Sequence, residues 1–140
     1  MPDYPKILAH RNSTNAFSRL LHIETVEMTA GYARAVMPIQ DNLLNPQGAV
    51  HGGVLYTIAD IAGGNAAASH GEWIATMCAD FHYLRPGLNV TTLTAVAHEV
   101  KYGKRASVCN VEVADQDGTV LACGIFTFSR LGKPILEDEG

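Results

Sequence analysis

The sequence predicts an α+β domain in which a long antiparallel β-sheet curls around one central α-helix, and three observations carry that expectation. One segment, about Gly53 to Ser69, has helical apolar spacing and is otherwise built of small residues. Four long segments of strand-like alternation follow it, with no second helix between them. The 140 residues match one ordinary domain, which buries roughly two-thirds of its unfolded surface and needs neither disulfide nor metal to hold a core. A single domain over 1–140 is therefore expected.

The elements follow in chain order. Residues from about 5 to 21 form a short helical segment, with Ile7, Leu8, Phe17, Leu20 and Leu21 as its apolar points and Thr14 and Asn15 as caps of its second half. His22 to Met28 alternates as a strand, Thr29-Ala30-Gly31 turns the chain, and Tyr32 to Met37 returns it as a hairpin. A long loop rich in Asn, Pro and Gly occupies Pro38 to Gly53. In the helix that follows, Val54, Ile58, Ile61 and Ala62 make the apolar stripe. Ala59, Gly63, Gly64, Ala66, Ala67 and Ala68 fill most of the remaining positions. A surface helix would tolerate Gly63-Gly64 poorly, at about 1 kcal/mol per glycine relative to alanine. Closely wrapped by a sheet, it exploits them. The four strands run roughly Glu72–Arg85, Val90–Tyr102, Arg105–Asp115 and Val120–Arg130, separated by turn residues.

Composition narrows the function classes. A net charge of −4 argues against a general nucleic-acid binder, which carries a basic excess. No apolar run approaches the ~20 residues of a membrane span, and the first residues, Met1 to Lys6, lack a signal-peptide pattern. Cys78, Cys109 and Cys123 cannot all pair within one chain and read as small buried hydrophobes in a reducing compartment. The remaining histidines, His10, His22, His70, His82 and His98, show no metal-ligand spacing. The expectation is a cytoplasmic protein without bound metal, nucleic acid or membrane. Charged residues are only 17% of the chain, which hints that a second subunit covers some surface.

Chemistry concentrates at the start of the central helix. The loop reads Asn45-Pro46-Gln47-Gly48-Ala49-Val50-His51-Gly52-Gly53, with Asp60 seven residues beyond Gly53. The N–H groups of Gly52 and Gly53 lie at a helix N-terminus, free of intrahelical partners and at the positive end of the dipole. Such donors stabilise a developing oxyanion, and glycine lets a substrate approach closely. Asp60 supplies a base or nucleophile, and Gly63 and Gly64, on its helical face, leave room beside the carboxylate. Taken singly, each residue has a plainer role: Asp60 on a solvated face, His51 as a helix-start group bonding backbone, Gly52-Gly53 as a tight turn, Asn45 as an Asx-turn residue. Their combined spacing is more specific than any of them.

That spacing resembles the hotdog-fold thioesterases of the PaaI type. Their pattern is an Asn, a Gly, then His-Gly-Gly, then an acid in the central helix. The resemblance extends to Tyr83-Leu84-Arg85-Pro86-Gly87 and to the Gly103-Lys104 turn, so it covers about Phe17 to Lys133. It implies hydrolysis of an acyl- or aryl-CoA thioester, with coenzyme A as part of the substrate and no separate cofactor. By the same resemblance Asn45 and His51 line the thioester and Thr76 holds the water. Simple alternation groups Thr76 with Cys78, Asp80 and His82, and puts Met77, Phe81 and Tyr83 on the opposite face.

Helix geometry adds an independent expectation. Gly53 and Asp60 are about 10.5 Å apart along a helix axis, whereas a carbonyl and its attacking water span only ~3 Å. One helix does not easily serve a single substrate with both groups. A second chain related by a two-fold axis would bring its Asp60 opposite Gly53, giving a homodimer with shared sites; a dimer of dimers is implied by the resemblance alone. Among the late basic residues, Arg85, Lys104 and Arg105 are the candidates for the phosphates of coenzyme A. Two other functions compete: a non-catalytic acyl-CoA-binding or sensing module, against which Asp60 speaks, and a hydratase or dehydratase, whose differently placed His the Asn45…His51-Gly52-Gly53…Asp60 arrangement does not match.

Overall fold

The computed structural model describes residues 1–137. Two short helices, α1 (Tyr4–Thr14) and α2 (Ala16–Leu20), open the chain. They replace the single helical segment expected over 5–21. The break falls at Asn15, which adopts an extended backbone and accepts a hydrogen bond from the Ser18 N–H, capping α2. The hairpin is β1 (Glu24–Thr29) and β2 (Tyr32–Pro38), and the central helix is α3 (Gly52–Ala68). After it come β3 (Glu72–Tyr83), β4 (Thr92–Tyr102), β5 (Ala106–Ala114) and β6 (Val120–Pro134).

All six strands form one antiparallel sheet in the order β1-β2-β4-β5-β6-β3. The sheet wraps α3, which touches every strand. Its inner face explains how close that wrap is. Ala33, Ala35, Ala95 and Ala97 come from β2 and β4, and pack with Ile58, Ala59, Ala62 and Ala66 of the helix in one fully buried core. Small residues on both sides bring the backbones together. Leu93, Val111, Val113, Phe126 and Phe128 supply the bulk where the sheet curves away. The helix itself buries Leu55 as well as Val54 and Ile58, while Ile61 is only half-buried.

Gly63 and Gly64 turn out to have separate reasons. A Cβ on Gly63 would lie 2.9 Å from the Phe128 ring and 3.3 Å from Val111, so this glycine is a packing requirement of the core. It leaves no room beside Asp60, contrary to the expectation above. On Gly64 a Cβ would face the guanidinium of Arg11 at 3.5 Å and the Ile74 side chain at 3.5 Å.

A β-bulge in β3 overturns the simple alternation. Thr76 pairs with Phe128, yet Cys78 pairs with Thr127, the very next residue of β6. Met77 is therefore the extra residue, and the facing of the strand reverses across it. Ile74 and Thr76 point toward α3 before the bulge, and Ala79 and Phe81 do so after it. Thr76 thus shares its face with Phe81, not with Cys78, Asp80 and His82. Cys78 is exposed on the other face, against the expectation of burial; Cys109 is buried and Cys123 intermediate, and all three are free. Burial pushes the Cys109 thiol up to about 11, so it is an inert part of the core.

Candidate active site

The loop before α3 is ordered by the backbone bonds that its sequence permits. Asn45 accepts the Gln47 and Ala49 N–H groups at its Oδ1, at 2.9 and 3.0 Å. Gly48 takes a positive φ of 82°. The Val50 N–H is donated to the Gly87 carbonyl, 3.0 Å away, tying this loop to the one that follows β3. Asn45 does the work of an Asx-turn residue, and its amide Nδ2 has no protein partner among the described residues.

His51 caps α3. Its ring Nδ1 accepts the Gly53 N–H at 2.9 Å, which requires a neutral ring with its proton on Nε2. The expectation of two open donors at this helix start is thus only half met, because Gly53 is already engaged by its own cap. An oxyanion arriving there competes with His51 Nδ1 for that proton. Tyr83, at the end of β3, covers the same turn. Its hydroxyl donates to the Gly52 carbonyl at 3.0 Å, and its ring lies where a Cβ on Gly52 would approach within 3.2 Å.

Two turns along the helix, Asp60 is half-buried and accepts a hydrogen bond from Thr76 Oγ1 at 2.7 Å. The bulge at Met77 makes this contact possible. Burial pushes the Asp60 carboxyl above the usual carboxylate range, while the Thr76 hydroxyl and the Arg11 guanidinium each draw it partway back. Such a group is a stronger base than an exposed aspartate. Between Asp60 and the helix start lies an aromatic wall. The Tyr56 and Phe81 ring centroids are 5.4 Å apart, Phe81 and Tyr83 5.1 Å, and Tyr56 and Phe126 5.3 Å.

The structure brings Asn45, His51, Gly52 and Gly53 into one turn-rich surface and joins Thr76 to Asp60. The three basic candidates do not converge within a protomer. Arg85 lines a cleft of about 380 Å³ with Asn45, Gly52 and Tyr83. Arg105 sits at the other end of the sheet, where its carbonyl accepts from Arg130, a residue paired with Ile74 near the start of β3. The nine-residue step from Ile74 to Tyr83 spans about 30 Å of strand. Among the described residues no three His, Cys, Asp or Glu side chains gather as a metal site would require. Sequence reasoning passed over Arg11 altogether, since nothing within α1 marks one exposed-looking arginine as a neighbour of a helix fifty residues away.

Comparison with known proteins agrees with this architecture. A family model described as the thioesterase superfamily matches residues 47–122. Acyl-coenzyme A thioesterase PaaI of Escherichia coli (strain K12) is 32% identical over 121 residues, covering 86% of each chain. The structure of the E. coli PaaI protein superposes with a TM-score of 0.89 at 27% identity, over 94% of this chain and 95% of that one. The smu.793 protein of Streptococcus mutans UA159, solved bound to acetyl CoA, matches with a TM-score of 0.75 at 28% identity, over 80% and 90% of the two chains.

Proposed function

Because the chain belongs to the thioesterase superfamily, as a hotdog-fold thioester hydrolase of the PaaI type, we propose that it cleaves an acyl- or aryl-CoA thioester to the free acid and coenzyme A, with Asp60 as the reacting carboxylate. The observation that carries this reading is the Thr76–Asp60 hydrogen bond of 2.7 Å, which holds a partly buried acid on the inner edge of the sheet. Coenzyme A as the thiol half is supported by the acyl-coenzyme A thioesterase among the relatives and the acetyl CoA bound to a structural neighbour.

In this reading the thioester carbonyl meets the N–H groups at the start of α3, and the ionised Asp60 either attacks the carbonyl carbon or takes a proton from a water that does. The C–S bond then breaks, and the thiolate of coenzyme A leaves and is protonated; on the direct route this leaves an acyl–Asp60 anhydride, which a water opens to release the acid and restore the carboxylate. Asn45 Nδ2 and His51 line the carbonyl, and Thr76 holds Asp60 or its water. Label found in Asp60 after a single turnover in ¹⁸O-water identifies direct attack with the anhydride opened at the Asp60 carbonyl, because water attack on the thioester labels only the acid.

The carboxylate serves the partner's helix start in this proposal. The spacing of about 10.5 Å between Gly53 and Asp60 is one support. Another is β3, a 12-residue edge strand whose stretch Ala75–Cys78 is exposed; an uncovered edge of that length invites a second strand. Antiparallel pairing of two such edges would also carry Arg85 toward the partner's Lys104 and Arg105, reuniting the phosphate candidates. The decisive measurement is thiol release from a panel of acyl- and aryl-CoA esters, beside Asp60→Ala. Hydrolysis reduced at least about 10³-fold in the variant is expected. An uncleaved panel points instead to an acyl-CoA-binding module, and a variant that cleaves as fast as the parent removes Asp60 from the chemistry.

A further inference from the structure

Arg11 lies in the last turn of α1, far from the motif in sequence, and its guanidinium is seated against the central helix. Its Nε donates to Asn65 Oδ1 at 2.7 Å, and Asn65, nearly fully buried, donates in turn to Thr25 Oγ1 at 2.6 Å. The guanidinium carbon lies 5.6 Å from the centre of the Trp73 ring. It lies against the helix at residue 64, where a Cβ would touch Arg11 Nη2 in ordinary van der Waals contact at 3.5 Å. Gly64 follows Asp60 by four residues, so the cation stands about one helical turn, or 6 Å of axial rise, from the carboxylate. The neighbouring strand keeps the same step, with Ile74 beside Gly64 and Thr76 beside Asp60.

A desolvated guanidinium is costly, because arginine does not shed its proton. Among the described residues no carboxylate comes within 4.0 Å of Arg11, and Asp60 is the acid whose charge opposes the effect of burial on it. The other groups around Asp60 offer no cation. Tyr56 on α3 lies within electrostatic reach of it, and Cys78 and Tyr83 of β3 lie within reach of Tyr56. Beneath the helix, β5 presents the neutral Cys109 thiol beside Gly63, and β1, β2, β4 and β6 present Thr25, alanines, Met37, Leu93 and phenylalanines. From α1, His10 packs edge-on against Trp73.

We propose that Arg11 is a positioning residue for Asp60: the last turn of α1 seats a fixed counter-charge against α3 beside Gly64, held by Asn65, one turn from the reacting carboxylate. This rests on the reading of Asp60 given above. A cation at that site favours the charged form of Asp60 and keeps a carboxylate raised by burial available at neutral pH. Its anchor to Asn65 makes α1, and not only the motif, part of the hydrolytic apparatus.

The test separates charge from anchoring. Arg11→Gln keeps a donor for Asn65 and removes the cation; Arg11→Lys keeps the cation. On a cleaved CoA ester, kcat/KM of Arg11→Gln is expected to fall about tenfold at pH 5.5 and less than about twofold at pH 8.5, the acid limb moving up. Arg11→Lys is expected to follow the wild-type limb. A uniform loss in Arg11→Gln at every pH, or an unmoved limb, overturns the proposal and leaves Arg11 as an anchor of α1. A thermal-stability cycle needs no substrate and so stays informative if no CoA ester is cleaved. Asp60→Asn should raise Tm more in the Arg11→Gln background than in the wild type. If Arg11→Gln alone does not fold, Asp60→Asn should restore it; a double variant that remains unfolded, or equal Tm gains in the two backgrounds, counts against the charge pairing.

Discussion

Asp60 carries opposing demands at the scale of one side chain. Burial raises its carboxyl pKa above that of the unfolded chain, so the folded state holds the proton more tightly. The sign follows from linkage: this group favours folding at low pH, and that contribution is lost as pH rises through the folded value. The ionised carboxylate, present above the folded value, is therefore a local cost that function retains. Asp60→Asn is expected to raise Tm by a few degrees, the response of a domain this size to about 1 kcal/mol, while abolishing hydrolysis; calorimetry at pH 7.5 checks it. Thr76 has the complementary part. Thr76→Val removes a hydrogen bond to a charged acceptor, a loss of about 1.5–3 kcal/mol, so kcat/KM should drop about 10- to 100-fold with the acid limb moved up. Thr76→Ser should stay within about threefold of wild type. An unchanged pH profile in Thr76→Val would separate the hydroxyl from the chemistry.

At the scale of elements, α3 and β3 fit each other through two local departures from regularity. Gly63 lets the Phe128 ring press against the helix backbone. Gly63→Ala gains about 1 kcal/mol of helix propensity but drives a Cβ to 2.9 Å from a fully buried ring. Overpacking of this kind costs about 1–3 kcal/mol, and the net result should be a Tm lower by several degrees. Trimming the ring in Gly63→Ala/Phe128→Leu should recover part of the loss, a coupling that equilibrium unfolding measures. The bulge at Met77 is the second departure. It lets one strand show Thr76 to the helix and then Phe81, although those residues are an odd number apart. The helices, the hairpin and the four late strands were all readable from periodicity and turn residues, to within a few residues at their ends. A bulge leaves no such mark, because Ala75-Thr76-Met77-Cys78 reads as unbroken alternation.

At the scale of the molecule, the proposed reading divides each site between two chains. The donors at the start of α3 and the carboxylate two turns along it face one sheet edge, and the edge strand β3 is open. If two chains share each site, mixing Asp60→Ala chains with Gly53→Val chains restores up to about half of wild-type activity in verified heterodimers, each carrying one intact site of two. Heterodimers no more active than either parent would assign the whole reaction to one chain. The same arrangement predicts that Arg85→Ala and Lys104→Ala raise KM for CoA esters together, although the two residues lie at opposite ends of a protomer.

The sequence by itself determined the sheet-wrapped helix and the composition of the site around Asp60. Both are written in local terms: small residues at helical spacing, long alternating strands, and His51-Gly52-Gly53 at a fixed distance from an acid. Tertiary structure alone decided what acts on that acid. Thr76 bonds to it from beside a bulge, Arg11 is anchored one turn away by Asn65, and Gly53 is held by His51 until a ligand competes. Those relations depend on which atoms meet across tens of residues, and packing sets them where no periodicity records them.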